Sequence, residues 1–154
     1  MFSRVLLCYD GSDAGRRALV SGAHLAILMR AKVDVLCILS KTTAAAPTAA
    51  YSVGQICLVD PEAEFKQSLQ ESTIWLMERG VEATGYFARG NTIDEIISHS
   101  VRLASDLIVV GHYPKPNGGR WWSGSDRASL AERARCCVLI ANGQQVFAAA
   151  AASR

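Results

Sequence analysis

RVLLCYDGSDAGRRAL, residues 4–19, carries the decision on fold. RVLLCYD (4–10) is a short, continuous apolar run, as expected of a strand covered on both faces. The period then changes. In GSDAGRRALVSGAHLAILMRAK (11–32), Ala18, Leu19, Gly22, Leu25, Ala26 and Met29 recur at helical spacing. Ser12 can cap that helix, because its hydroxyl can accept from a free N–H of the first turn. KVDVLCILS (32–40) then reads as a second buried strand.

The alternation continues along the chain. Residues 41–59 have no clean period and read as a loop. Asp60-Pro61 is a strong helix start, an Asp cap followed by Pro where a missing N–H does no harm. Phe65, Leu69 and Leu76 mark the buried stripe of that helix, which ends at Gly80. VEATGYFA (81–88) is a third strand. GNTIDEIISHSVRLAS (90–105) is a helix with Ile93, Ile96, Ile97, Val101 and Ala104 on one face, and Asn91 and Asp94 have capping-box spacing. DLIVVG (106–111) is a fourth strand, 125–135 a short helix, and CCVLIA (136–141) a fifth strand. Five apolar strands alternating with four helices predict an α/β fold, a single doubly wound parallel sheet. Ligands on such sheets bind beyond the carboxyl ends of the strands, at the switch point. Two such ends stand out: YDGS after the first strand and the 111–125 loop after the fourth.

Composition narrows the class of function. At 154 residues, half of them hydrophobic, the chain suits one domain with a sizeable core. A net charge of +2 makes no case for nucleic acid or an anionic membrane surface as partner. No apolar run reaches the roughly 18–20 residues of a membrane span. The opening MFSRVLLCYDGSD reads as a strand and not as a signal peptide, because its apolar stretch runs straight into Asp10. The five cysteines are odd in number and include no CxxC pair, which suits reduced thiols and a cytoplasmic location. Cys136 and Cys137, inside a strand, are expected to be buried and inert. His24, His99 and His112 show no zinc-ligand spacing. The tail NGQQVFAAAAASR is low in complexity, which sets the domain at 1–143 and leaves 144–154 outside it.

Three stretches carry a family resemblance. They are RVLLCYDGSDAGRRAL, GNTIDEIISHSVRLASDLIVVG and GSDRASLAERARCCVLIA. Together they resemble a universal stress protein domain over roughly residues 2–142. The resemblance implies a Rossmann-like fold of the adenine nucleotide alpha hydrolase type. The nucleotide-binding branch of that family carries Gly, two residues, Gly, nine residues, then Gly-Ser or Gly-Thr. Here Gly111 opens the count, Pro114 stands where the second Gly belongs, and Gly124-Ser125 closes it at the right distance. The implied ligand is ATP or AMP, with Mg2+ left open as a companion cation, and the implied assembly is a homodimer. A final strand at a sheet edge, with unpaired backbone groups, would favour pairing with its copy.

The implied nucleotide residues are Asp10, Gly11 and Ser12 at the end of the first strand, Ile38 on the second, and Gly111, His112, Gly124, Ser125 and Asp126 around the loop. Asp10 falls where the family places an acidic residue beside the nucleoside; it also fits as a strand-end turn residue. Ile38 falls where the family offers backbone groups to adenine, its side chain belonging to the core. Gly111 allows a sharp turn near a ligand. Gly124 and Ser125 open a helix whose free N–H groups and dipole suit phosphate, although Ser125 serves equally as a plain cap. His112 has no Asp or Ser partner at interpretable spacing, and no catalytic role is assigned to it.

Two residues depart from the pattern. Pro114 has no N–H to donate and a fixed φ. Asp126 suits the helix dipole of an empty protein but repels bound phosphate. Gly118-Gly119 could restore flexibility, and Lys115, Arg120 and Arg127 could supply positive charge. Trp121 and Trp122 could pack locally, cover a base or meet a partner. Three functions follow in descending order: a stress-response protein that holds an adenine nucleotide, a homologue that has lost the nucleotide and acts as an interaction module, and a slow ATP hydrolase. The last ranks low because no general base or metal cluster lies near the loop.

Overall fold

The structure, a computed structural model, describes residues 1–11, 13–40, 60–112 and 124–142. The element order is β1 (Arg4–Tyr9), α1 (Asp13–Met29), β2 (Lys32–Ser40), α2 (Pro61–Met77), β3 (Ala83–Gly90), α3 (Thr92–Arg102), β4 (Leu107–His112), α4 (Gly124–Arg133) and β5 (Cys137–Asn142). All described strand pairs are parallel, in the order β3-β2-β1-β4-β5. The fold is therefore the doubly wound five-stranded parallel sheet with four described helices that the alternating pattern predicts. Ser12, the 41–59 loop, Pro114, Lys115, Gly118, Gly119, Arg120, Trp121, Trp122 and the 144–154 tail lie outside the described residues.

Two cores flank the sheet because successive strand residues point to opposite faces. Val5, Leu7, Tyr9, Val33, Val35, Leu107 and Val109 pack beneath α1 and α2. Leu6, Cys8, Leu36, Ile38, Ile108 and Val110 pack beneath α3, with Leu130 of α4. The edges are less covered. In β5, Leu139 and Ile140 remain exposed.

Local chemistry sets the helix ends. Asp60 caps α2 by accepting from Glu62 N–H at 3.0 Å. Asn91 caps α3, its Oδ1 accepting from Ile93 and Asp94 N–H. The Asp94 carboxylate is bonded to Arg133 of α4 at 2.8 Å, so it ties two helices together. Three helices end in the same left-handed turn, at Arg30 (φ 52°), Gly80 (φ 76°) and Ala104 (φ 51°). In each case the next residue's N–H reaches back to a carbonyl of the last turn: Ala31 to Ala26, Val81 to Leu76 and Ser105 to Ser100.

Several boundaries and faces differ from expectation. Ala104 is the left-handed turn residue and not part of the buried face, and Val101 is exposed. β3 runs 83–90 and not 81–88, because Val81 still belongs to the turn that closes α2. Cys137 is exposed and Cys136 half-buried, against the expected burial of both. The physical reason is position: among the described strands β5 has β4 alone beside it, and Cys136 precedes β5. Cys8 and Cys37, on central strands, are buried, and burial pushes the Cys8 thiol well up.

The Asp106 carboxylate joins the start of β1 to the approach to β4. It accepts from Ser3 N–H (2.7 Å), Ser3 Oγ (2.7 Å) and Arg4 N–H (3.0 Å). Burial alone would raise its pKa, but these bonds outweigh it and hold the group below its usual range.

Candidate nucleotide site

Residues of α1, the helix after β1, pack in the core on one face of the sheet, and Leu130 of α4, the helix after β4, packs in the core on the other, so the switch point of the fold lies between the carboxyl ends of β1 and β4. The register Cys8↔Val110 keeps the two strands level. Asp10 follows Cys8 by two residues as His112 follows Val110, so the ends Asp10-Gly11 and Gly111-His112 lie level on neighbouring strands.

At the β1 end, Asp10 is only 4% exposed. Its charge is felt at Cys37 of the neighbouring strand, whose thiol burial pushes up to about 12, with Asp10 adding to the rise. Gly11 has φ +74°, and a Cβ there would lie 3.0 Å from Cδ1 of Phe65. Only Gly takes this turn without strain.

The turn is held from α2. Ser68 Oγ donates to the Gly11 carbonyl at 2.9 Å. Arg16 Nη2 donates to Ser68 Oγ at 3.2 Å, and Arg16 Nη1 pairs with Glu71 at 3.0 Å. The hydroxyl of Tyr9 lies 3.2 Å from Ser72 Oγ and 3.4 Å from Ser68 Oγ. Burial pushes the Tyr9 phenol up to about 12, so it stays a neutral hydrogen-bonding group. Sequence reading missed this support. Its signal was available: Ser68 and Ser72 are small polar residues one helical turn apart on the stripe that holds Leu69 and Leu76.

At the β4 end, Gly111 is buried and pairs with Ala141, and His112 is the last strand residue, opposite Asn142. This corrects the placement of His112 in the loop: its backbone belongs to the ladder. Helix α4 starts at Gly124, one residue earlier than expected, and ends at Arg133 and not at 135. Parallel crossover brings the amino end of α4 to the sheet end where Asp10 and Gly111 lie. Ser125 is exposed there and Asp126 sits half-buried in the first turn. Ile38 is 1% exposed and lies in the core, two residues before β2 ends, in agreement with a structural side chain. Thus the described candidates gather at one end of the sheet. Among the described residues, no group of three or more His, Cys, Asp or Glu side chains could hold a metal ion. No described helix is long and apolar enough to cross a membrane.

Comparison with known proteins agrees with this architecture. A structure of a universal stress protein in complex with cAMP superposes with TM-score 0.65 at 21% identity, covering 92% of this chain and 98% of that one. A universal stress protein from Archaeoglobus fulgidus in complex with dAMP gives TM-score 0.60 at 17% identity, covering 92% and 98%. The universal stress protein YxiE of Bacillus subtilis is 27% identical over 146 residues, which is 91% of this chain and 99% of that protein. The profile of the universal stress protein family matches residues 1–142, and the chain belongs to that family.

Proposed function

We propose that this protein binds an adenine nucleotide, ATP or AMP, in the crevice between the carboxyl ends of β1 and β4, and holds it without rapid turnover. The observation that carries the reading is the convergence of Asp10, the left-handed Gly11 turn, Gly111 and the amino end of α4 at one sheet end. Two structural relatives are complexes with cAMP and dAMP, both adenine nucleotides. In this reading the Asp10 carboxylate accepts from ribose hydroxyls. Gly11 and Gly111 let the backbone come close, Ile38 offers backbone groups to the base, and Ser12 and His112 border the site. The N–H groups at Gly124 and Ser125 face the phosphates. Asp126 opposes phosphate charge there. The oxygens of Ser125 and Asp126 are hard donors that fit Mg2+, which would offset that repulsion. The protein would act as a homodimer in the stress response, through the exposed edge of β5. A cytoplasmic setting suits the free thiols of the four described cysteines.

The test is mass spectrometry of gently purified, then denatured protein, followed by calorimetric titration with ATP, AMP, cAMP and dAMP. Near-stoichiometric co-purified nucleotide, or saturable heat, is expected. An empty protein that also gives no heat at high concentration would remove the proposal. One observation favours a second reading, an interaction module without nucleotide: Asp126 places a carboxylate in the first turn of α4. Under that reading Asp126→Asn restores binding that the wild type lacks.

A further inference from the structure

A second site lies away from the strand ends. Helices α1 and α2 both pack on the same face of the sheet, yet among the described residues they touch one another little. Helices in direct contact pack roughly 8–10 Å apart. Here the facing residues are small, Ala23 on α1 and Ser72 on α2, and a cavity of about 440 Å3 remains between them. That volume falls within the range of about 300–1,000 Å3 typical of small-molecule sites.

The floor is apolar. Leu7, Val35, Ala23 and Leu76 line it, and none of the four is more than 2% exposed. Ile74 and Trp75 of α2 form the outer wall, where Ile74 is 42% exposed and Trp75 is partly buried. Arg79 stacks over the Trp75 ring at 4.0 Å and stiffens that wall. Leu7 and Val35 sit in the middle of β1 and β2, whereas Asp10, Gly11 and Gly111 do not line the cavity. It thus lies away from the strand ends, although Arg16 and Ser72 of its lining also belong to the network that holds the Gly11 turn.

Polar groups are few and placed at the margins. Arg16 and Glu71 are already paired with each other, and Glu78 adds one further negative charge. Arg16 stands against Glu71 and Glu78 in the lining, and Arg79 behind Trp75 brings the immediate surroundings to neutrality, so no net positive charge compensates an anion for leaving water. An ammonium group would have to leave water for a largely apolar floor. A neutral molecule meets neither penalty. Ser72 Oγ, which donates to Ser68 O at 2.9 Å, and the Arg16 guanidinium are the groups able to meet a hydroxyl or carbonyl.

We propose that the α1–α2 cavity binds a neutral, mainly apolar small molecule that carries one hydrogen-bonding head group. The test is calorimetric titration of the full chain with 1-octanol, with octanoate and octylamine as charged comparisons of equal length. Saturable 1:1 binding of 1-octanol is expected, with both charged analogues at least about tenfold weaker. Val20 of α1, half-buried, also lines the cavity, and Val20→Phe fills it from that side and should weaken binding by at least about tenfold while the melting curve and circular dichroism stay those of the wild type. Ala23→Leu fills it from the floor and serves as the second variant. Intrinsic fluorescence should change on binding, and Trp75→Phe should remove that change. Three results would each overturn the proposal: no saturable heat up to the solubility limit, binding untouched by both filling variants, or equal binding of the three probes. Self-association abolished by Val20→Phe would also overturn it, since a second copy of the chain would then cover the groove.

Discussion

Replacing Gly11 by Ala isolates what the turn at the end of β1 requires. Two effects act at this position. An L residue at φ +74° is strained by about 1–2 kcal/mol, and the reduced freedom of Ala in the unfolded chain offsets about 0.4–1 kcal/mol of that. In addition, the new Cβ would stand 3.0, 3.1 and 3.3 Å from three atoms of the Phe65 ring. Moving the ring off its rotamer costs about 0.5–1.5 kcal/mol. The sum is about 2 kcal/mol. Gly80 supplies the control, because it has φ +76° and nothing within 4 Å of a built Cβ. Gly80→Ala therefore reports the backbone effect alone, about 1 kcal/mol or less. For a chain of this size each kcal/mol shifts Tm by about 2–4 °C, so Gly11→Ala should lose about 4–8 °C and Gly80→Ala about 2–4 °C at most. Reversible urea and thermal unfolding, followed by circular dichroism, would measure both. Combining Gly11→Ala with Phe65→Leu should recover about 0.5–1 kcal/mol beyond additivity. Equal losses at Gly11 and Gly80, with no coupling to Phe65, would refute the assignment of a steric contact. Two neutral variants would refute the need for a left-handed turn at all.

Further outcomes follow from other parts of the molecule. Ala104→Gly should stabilise the protein by about 1 kcal/mol, since a non-glycine residue now sits at φ 51°; a loss of stability in urea unfolding would contradict the turn assignment. Asp106 has a depressed pKa, so its contribution is present above its unfolded value near 3.8 and disappears as pH falls through the folded one. Asp106→Ala should accordingly cost about 1–2 kcal/mol at neutral pH, with the two proteins converging in acid; a gap that does not change with pH would argue against the carboxylate clamp. Among the described cysteines, Cys137 should react with maleimide in the native state, and Cys8 and Cys37 only after denaturation; peptide mapping that finds early modification of Cys8 or Cys37 would contradict their burial. Leu139→Lys on the exposed β5 edge should yield monomers in sedimentation velocity if that edge joins two copies, whereas an unchanged dimer would place the interface elsewhere.

Much of this architecture was legible in the residues, because continuous apolar runs and helical spacing are local and each segment reports its own covering. RVLLCYD and KVDVLCILS announced buried strands, Asp60-Pro61 and Asn91 announced helix starts, and the match to the universal stress protein family extends over residues 1–142. Tertiary structure decided what depends on neighbours in space. An edge position for the last strand was already expected from the sequence, but only the packing around it decided that Cys137 is exposed, although CCVLIA is as apolar as a buried strand. The left-handed turn at Ala104 ended a helix that apolar spacing alone would have continued. The grip of Ser68 and Phe65 on Gly11 joins residues more than fifty positions apart, and no local pattern encodes such a contact. The cavity between α1 and α2 belongs to neither helix, since it arises only when two small faces are set side by side over one sheet.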